Sequence, residues 1–173
     1  MSRARSRFLL VSRLIDRVGR PRKMHVFAIE SIQALTEILP HRTRYFTLLL
    51  AWNAPPSVEK GELADLFRPL VLERGLAYFC AWGSRCELVH DAVDISAVEQ
   101  EARRDPLDYV TMTTWHAKET LENAVWFFRH LAIPSESHVF ADFSRFAVSV
   151  GNPEWDAVIR QGISTSKYEP SQR

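Results

Sequence analysis

The chain has 173 residues, 46% of them hydrophobic, and its 22 basic and 21 acidic side chains leave a net charge of +1. That length suits one domain burying about two-thirds of its unfolded surface, and no apolar run nears the roughly 20 residues needed to span a bilayer. Two cysteines, Cys80 and Cys86, exclude a disulfide framework and, at C-x5-C spacing, a zinc knuckle, so a reducing cytoplasm is the expected setting.

Charge is uneven along the chain. Arg3, Arg5, Arg7, Arg13, Arg17, Arg20, Arg22 and Lys23 face only Asp16, giving residues 3–23 a charge of +7 and the rest −6. Phe8-Leu9-Leu10-Val11 is too short for a secretory core. The Arg- and Ser-rich start resembles an organelle transit peptide, and Leu10, Leu14, Ile15 and Val18 can share one face of a helix on a membrane surface or nucleic acid. The plainest expectation is a disordered basic arm over 1–24, with Met24 as an alternative start. Nucleic acid is then a partner only through residues 3–23.

Phe27, Ile29, Ile32, Leu35, Ile38 and Leu39 predict a helix within 25–39, ended by Pro40. Tyr45 to Trp52 is a continuous apolar run, the mark of a strand covered on both faces. A loop from Asn53 to Pro56 leads to Ser57 as N-cap. Leu63, Leu66, Phe67, Leu70 and Val71 trace the apolar stripe of a helix over 58–74, which Pro69 should kink and Gly75 should stop. Leu76 to Trp82 reads as the second strand, 83–94 as a polar loop and 96–104 as a short helix. Tyr109 to Trp115 is the third strand, and a helix over 117–131 aligns Leu121, Ala124, Val125, Phe128 and Leu131. Arg145 to Val150 is the fourth, with Val139 to Phe143 as its lead-in. Asn152 caps a last helix whose first turn accepts Pro153, and 163–173 form a polar tail.

This alternation predicts a single α/β domain over 25–162. Its fold is a three-layer Rossmann-like or flavodoxin-like sandwich with a mostly parallel sheet of about four strands. Trp52, Trp82 and Trp115 then close three strands on one edge, where open α/β folds place their ligands. A tryptophan at a strand end is more often a core plug whose indole N–H finds a backbone partner.

Several chemistries are excluded. There is no G-x-x-x-x-G-K-[ST] loop, no G-x-G-x-x-G after the first strand, no G-x-S-x-G elbow and no H-E-x-x-H. No cofactor and no metal are expected, although His90, Asp91, Asp94 and His116 are ligand types. The remaining candidates follow the second and third strands, which lie about 4.8 Å apart if they are neighbours. One reading is a recognition module for a small molecule or a protein segment. Trp82 and Trp115 would wall its site, with Arg85, Asp91, Asp94, His116 and Glu119 orienting the ligand and Cys86 on the floor. The alternative is a hydrolase or transferase with Cys86 as nucleophile, His116 as base and Asp94, Asp91 or Glu119 as the orienting acid.

At these two loops the sequence resembles a family of small bacterial proteins known only as a domain of unknown function. The shared pattern comprises Ala81-Trp82-Gly83, Cys86, Asp91 and Val93-Asp94, then Met112-Thr113-Thr114-Trp115-His116, Glu119, Leu121 and Trp126-Phe127. The resemblance covers roughly 45–160 and is densest over 81–127. It implies a common fold and a common purpose for the two loops, and supplies no activity.

Overall fold

The computed structural model describes residues 24–39, 45–103, 110–134 and 143–164. The expected basic arm up to Lys23, the strand lead-in at 139–142 and the tail beyond Ser164 lie outside the described residues. The described residues form five strands: β1 (Met24–Ile29), β2 (Phe46–Ala51), β3 (Leu76–Trp82), β4 (Met112–Trp115) and β5 (Ser144–Val150). The helices are α1 (Leu35–Ile38), α2 (Lys60–Leu72), α3 (Cys86–Arg103), α4 (Leu121–His130) and α5 (Pro153–Ser164). All strand pairs are parallel, in the order β1-β5-β2-β3-β4. The architecture is a three-layer, Rossmann-like α/β sandwich.

The three inner strands are buried along nearly their whole length. This is why β2, β3 and β5 read as unbroken apolar runs rather than alternating ones. Side chains still alternate between the faces. Phe46, Leu48, Leu50, Phe79, Ala81, Phe146 and Val148 meet α2 and α3 on one face, through Phe67, Leu70, Val89 and Val93. Leu49, Ala51, Tyr78, Cys80 and Ala147 meet α4 and α5 on the other, through Ala124, Phe128 and Ile159. The chain moves outward from β2 to β4 over the first face and returns to β5 over the second. Right-handed crossovers require that change of face when the direction reverses.

Two element assignments are corrected. Residues 25–39 do not form one helix: Met24–Ile29 is a fifth strand, followed by a single 3-10 turn at Ile32–Ala34 and the short α1. β1 is an edge strand, half-buried on both sides, so its apolar residues show neither strict alternation nor a continuous run. Residues 83–94 are not a loop, because α3 begins at Cys86 and the expected helix at 96–104 is its second half. Its buried stripe includes His90, Ser96 and Gln100, and three polar side chains weaken the apolar period that identifies a helix. Gln100 earns its place by donating to the Val71 carbonyl (2.7 Å).

Of the single-residue signals, Gly75 and Asn152 act as expected, whereas Ser57 does not cap α2 and Pro69 does not divide it. Gly75 ends the α2 unit with φ 82°, a left-handed conformation that suits glycine. Pro69 falls in the last turn of α2 without dividing it, where its missing N–H breaks only one helical bond. The N-cap of α2 is Glu59 rather than Ser57, and its backbone N–H donates to Glu62 Oε2 (3.4 Å). The Asn152 side chain caps α5, its Oδ1 accepting from the N–H groups of Glu154 (2.9 Å) and Trp155 (3.4 Å).

Candidate functional site

β3 and β4 are neighbours, with Phe79 opposite Thr113 and Ala81 opposite Trp115. The loops at 83–85 and 116–120 therefore meet at the carboxyl edge. Alternation along β4 nevertheless divides the candidate residues between the two faces of the sheet.

Thr113 and Trp115 point toward α3. The Thr113 hydroxyl donates to Asp94 Oδ1 (2.6 Å) and lies 2.9 Å from His90 Nε2. Its single proton goes to Asp94, so it accepts from His90, whose Nε2 must carry a hydrogen. His90 Nδ1 sits 3.3 Å from Asp91 Oδ1. Trp115 packs on the His90 ring, 4.5 Å between centroids, and its indole N–H donates to Glu87 (3.2 Å). Asp91 also pairs with Lys60 (3.0 Å). The Lys60 hydrogen bond first, and the His90 contact second, hold the Asp91 carboxyl below its usual range.

Thr114 and His116 point the opposite way, toward α4. His116 is buried, with Nδ1 3.1 Å from Glu119 Oε2, Nε2 3.4 Å from the Thr114 hydroxyl and its ring 4.8 Å from Phe127. Trp82 shares this face, its indole N–H donating to the Glu119 carbonyl (2.9 Å) and its ring lying edge-on to Trp155 at 5.2 Å. Trp82 thus seals the space between β3 and the start of α4.

Cys86 opens α3 inside the core of the first face, only 1% exposed. Burial pushes its thiol above the ordinary value, and the His116 backbone N–H offsets this only in part. Cys80 is wholly buried and pushed up to about 12, chiefly by desolvation. Cys86 packs with the first-face core, whereas the His116 ring lies against Phe127 on the second face. Among the described residues no three His, Cys, Asp or Glu side chains are grouped to hold a metal ion. Arg85 takes the left-handed conformation (φ 58°) and its guanidinium donates to the Pro55 carbonyl. It therefore fixes the loop after β2 rather than standing free.

The open space lies at the other half of the same edge. The chain leaves β1 and β2 toward the first face, whereas it leaves β5, which lies between them, toward the second. Loops diverging from adjacent strands leave a crevice at their carboxyl ends. Here it is a solvent-open cleft of about 460 Å³. Glu30, Ser31 and Gln33 line it from the β1 side, Trp52 and Asn53 from β2, and Gly151, Asn152 and Trp155 from β5. Gly151 has φ 69°, a left-handed turn that suits glycine, and its N–H donates to the Ile29 carbonyl (2.8 Å), tying the ends of β1 and β5 together.

The two halves are joined by a rigid seam. Trp52 donates its backbone N–H to the Trp82 carbonyl (2.9 Å), and Asn53 Oδ1 accepts from Ser84 N–H (2.7 Å). Gly83 has φ 119°, and a Cβ there would lie 2.2 Å from the Trp52 carbonyl oxygen. Of the cleft residues, sequence reasoning placed only Trp52 at the ligand edge. Asn152 was legible as a helix cap, and Glu30 and Gly151 carried no signal until β1 and β5 were seen to be adjacent.

The model of a family described as a domain of unknown function, DUF7684, matches residues 24–165. The chain belongs to that family. The match begins at Met24, the first residue of β1, so the whole described sheet and both halves of its carboxyl edge fall inside the DUF7684 domain. No curated protein matches the chain. No helix among the described residues is long and apolar enough to cross a membrane.

Proposed function

We propose that this DUF7684 domain is a recognition module that binds a small ligand, or a short segment of a partner, in the cleft where β1, β5 and β2 end. The supporting observation is the contrast in occupancy along one edge. Between β3 and β4 the candidate side chains are spent on one another, while between β5 and β2 a cleft of about 460 Å³ stays open. That volume falls in the usual range for small-molecule sites, about 300–1,000 Å³. The partly exposed Trp155 indole and the edge of the buried Trp52 give it apolar area, and amide side chains give it directional polar groups.

The test is a titration of the 15N-labelled chain with benzyl alcohol, a small neutral ring. Binding in the cleft moves the Gly151 amide and the Trp52 and Trp155 indole signals. Ser31→Trp, at an exposed position on the cleft wall, should abolish those shifts while preserving the spectrum elsewhere. Shifts confined to 86–94 and 112–119, unaffected by Ser31→Trp, would overturn this assignment in favour of the β3–β4 loops.

A further inference from the structure

We infer that the cleft selects a ligand bearing a protonated amine and discriminates against phosphorylated ligands. This rests on reading the cleft as a binding site, and adds its chemical class. A crevice at the carboxyl end of a parallel sheet, facing the start of a helix, is where many α/β folds hold phosphates. Here the parts that serve that purpose are missing or already engaged. The carboxyl-edge loops at 30–34, 52–59, 83–85, 116–120 and 151–152 all belong to the described residues. Among the described residues no lysine, arginine or histidine lines the cleft, and the nearby Arg85 guanidinium is engaged by the Pro55 carbonyl. The first N–H groups of α5 are taken by Asn152 Oδ1. The first turn of α5 carries Glu154 and Asp156, which repel an anion.

What the cleft does offer suits an ammonium. Glu30 is the one charged residue among the described residues that line it, exposed and without a hydrogen bond or ion pair to any described residue. Trp155, partly exposed, supplies aromatic surface of the kind that attracts an organic cation, beside the edge of Trp52, which is otherwise buried in the first-face core. Asn152 Oδ1 accepts from two backbone N–H groups and Asn53 Oδ1 from one, which fixes both amides and leaves their NH2 groups as donors for a ligand. The fitting ligand thus carries an amine for Glu30, an apolar or flat body for the indoles, and an oxygen acceptor for the asparagines. A free amine and the lysine side chain of a partner share this chemistry.

Benzylamine, benzyl alcohol and benzyl phosphate keep the ring constant while changing charge, so comparing their affinities for the full chain tests the inference. Benzylamine is expected to bind roughly tenfold more tightly than benzyl alcohol, with benzyl phosphate the weakest. Glu30→Gln should bring amine and alcohol within about twofold of each other, the alcohol being unaffected. Equal binding of amine and alcohol to the native chain, or a preference that survives Glu30→Gln, would overturn the inference while leaving the cleft a binding site. If none of the three probes moves the Gly151 and Trp155 signals, the binding reading itself falls. The tripeptide acetyl-Gly-Lys-Gly-amide separates the two sources. Tighter binding than benzylamine assigns the ammonium to a partner's lysine, and weaker binding assigns it to a free amine.

Discussion

The two halves of the carboxyl edge are built from the same parts and end differently. In each, adjacent parallel strands send their loops to opposite faces of the sheet, β3 against β4 in one and β2 against β5 in the other. The β3–β4 half holds most of the reactive side chains, and they close it. His116 meets Glu119, Trp82 meets the Glu119 carbonyl, and Thr113 bridges His90 and Asp94. The β2–β5 half holds asparagine, glycine, serine and a lone carboxylate, and stays open. Polar side chains between closely packed elements must satisfy one another, so a dense group of them can mark a fastened joint as readily as a reaction centre.

The sharpest break in this comparison should come at the seam. Gly83→Ala places a methyl group against the Trp52 carbonyl at a backbone angle that suits glycine alone. We expect a loss of about 3 kcal/mol in urea unfolding, together with a displaced cleft and weaker benzyl alcohol binding. Gly61→Ala, with open space around its added Cβ, is the control and should be neutral or slightly stabilising. Equal losses at the two glycines would mean that the seam does not fix the edge.

A smaller effect is expected from Thr113→Val, which removes the hydroxyl shared by His90 and Asp94. It should cost about 1–2 kcal/mol in the same assay and leave the affinity for benzyl alcohol unchanged. Weakened probe binding would show that the closed half supports the open one. The smallest effect concerns Cys86. Alkylation requires the thiolate, and burial disfavours that form, so in a Cys80→Ala background the reaction should be slow. Its pH midpoint should lie above the ordinary value of about 8.5, and His116→Gln should not move it. A midpoint below that value, rising when His116 is replaced, would return the Cys–His pair to chemistry.

The fold was legible wherever burial imposes one pattern. β2, β3 and β5 lie between two helical layers, so their continuous apolar runs admit one reading, and Gly75, Asn152 and Pro153 punctuate the helices as local geometry requires. Edge elements escaped. Phe27 and Ile29 of β1 blend with Ile32 and Leu35 because a half-exposed strand leading into a 3-10 turn has no single period. The first half of α3 was hidden because its inward positions include His90, which faces a threonine hydroxyl rather than an apolar wall. Which residues reach the carboxyl edge was readable from the strands alone. Which half of that edge is open was not, because it depends on β5 sitting between β1 and β2, a pairing of distant segments that leaves no local trace.

That insertion also governs how the chain can assemble. Among the described strands β1 is the first to be synthesised and pairs only with β5, the last of them, with Met24 opposite Arg145. A nascent chain can therefore join β2, β3 and β4 while its amino-terminal strand waits for nearly the whole domain to emerge. Until Ser144–Val150 arrives, the β2 edge is an unpaired apolar ribbon, the kind of surface that invites aggregation. Truncation before β5 should consequently yield a chain dependent on chaperones rather than a smaller stable domain, because the strand that completes the sheet is also the one that separates β1 from β2.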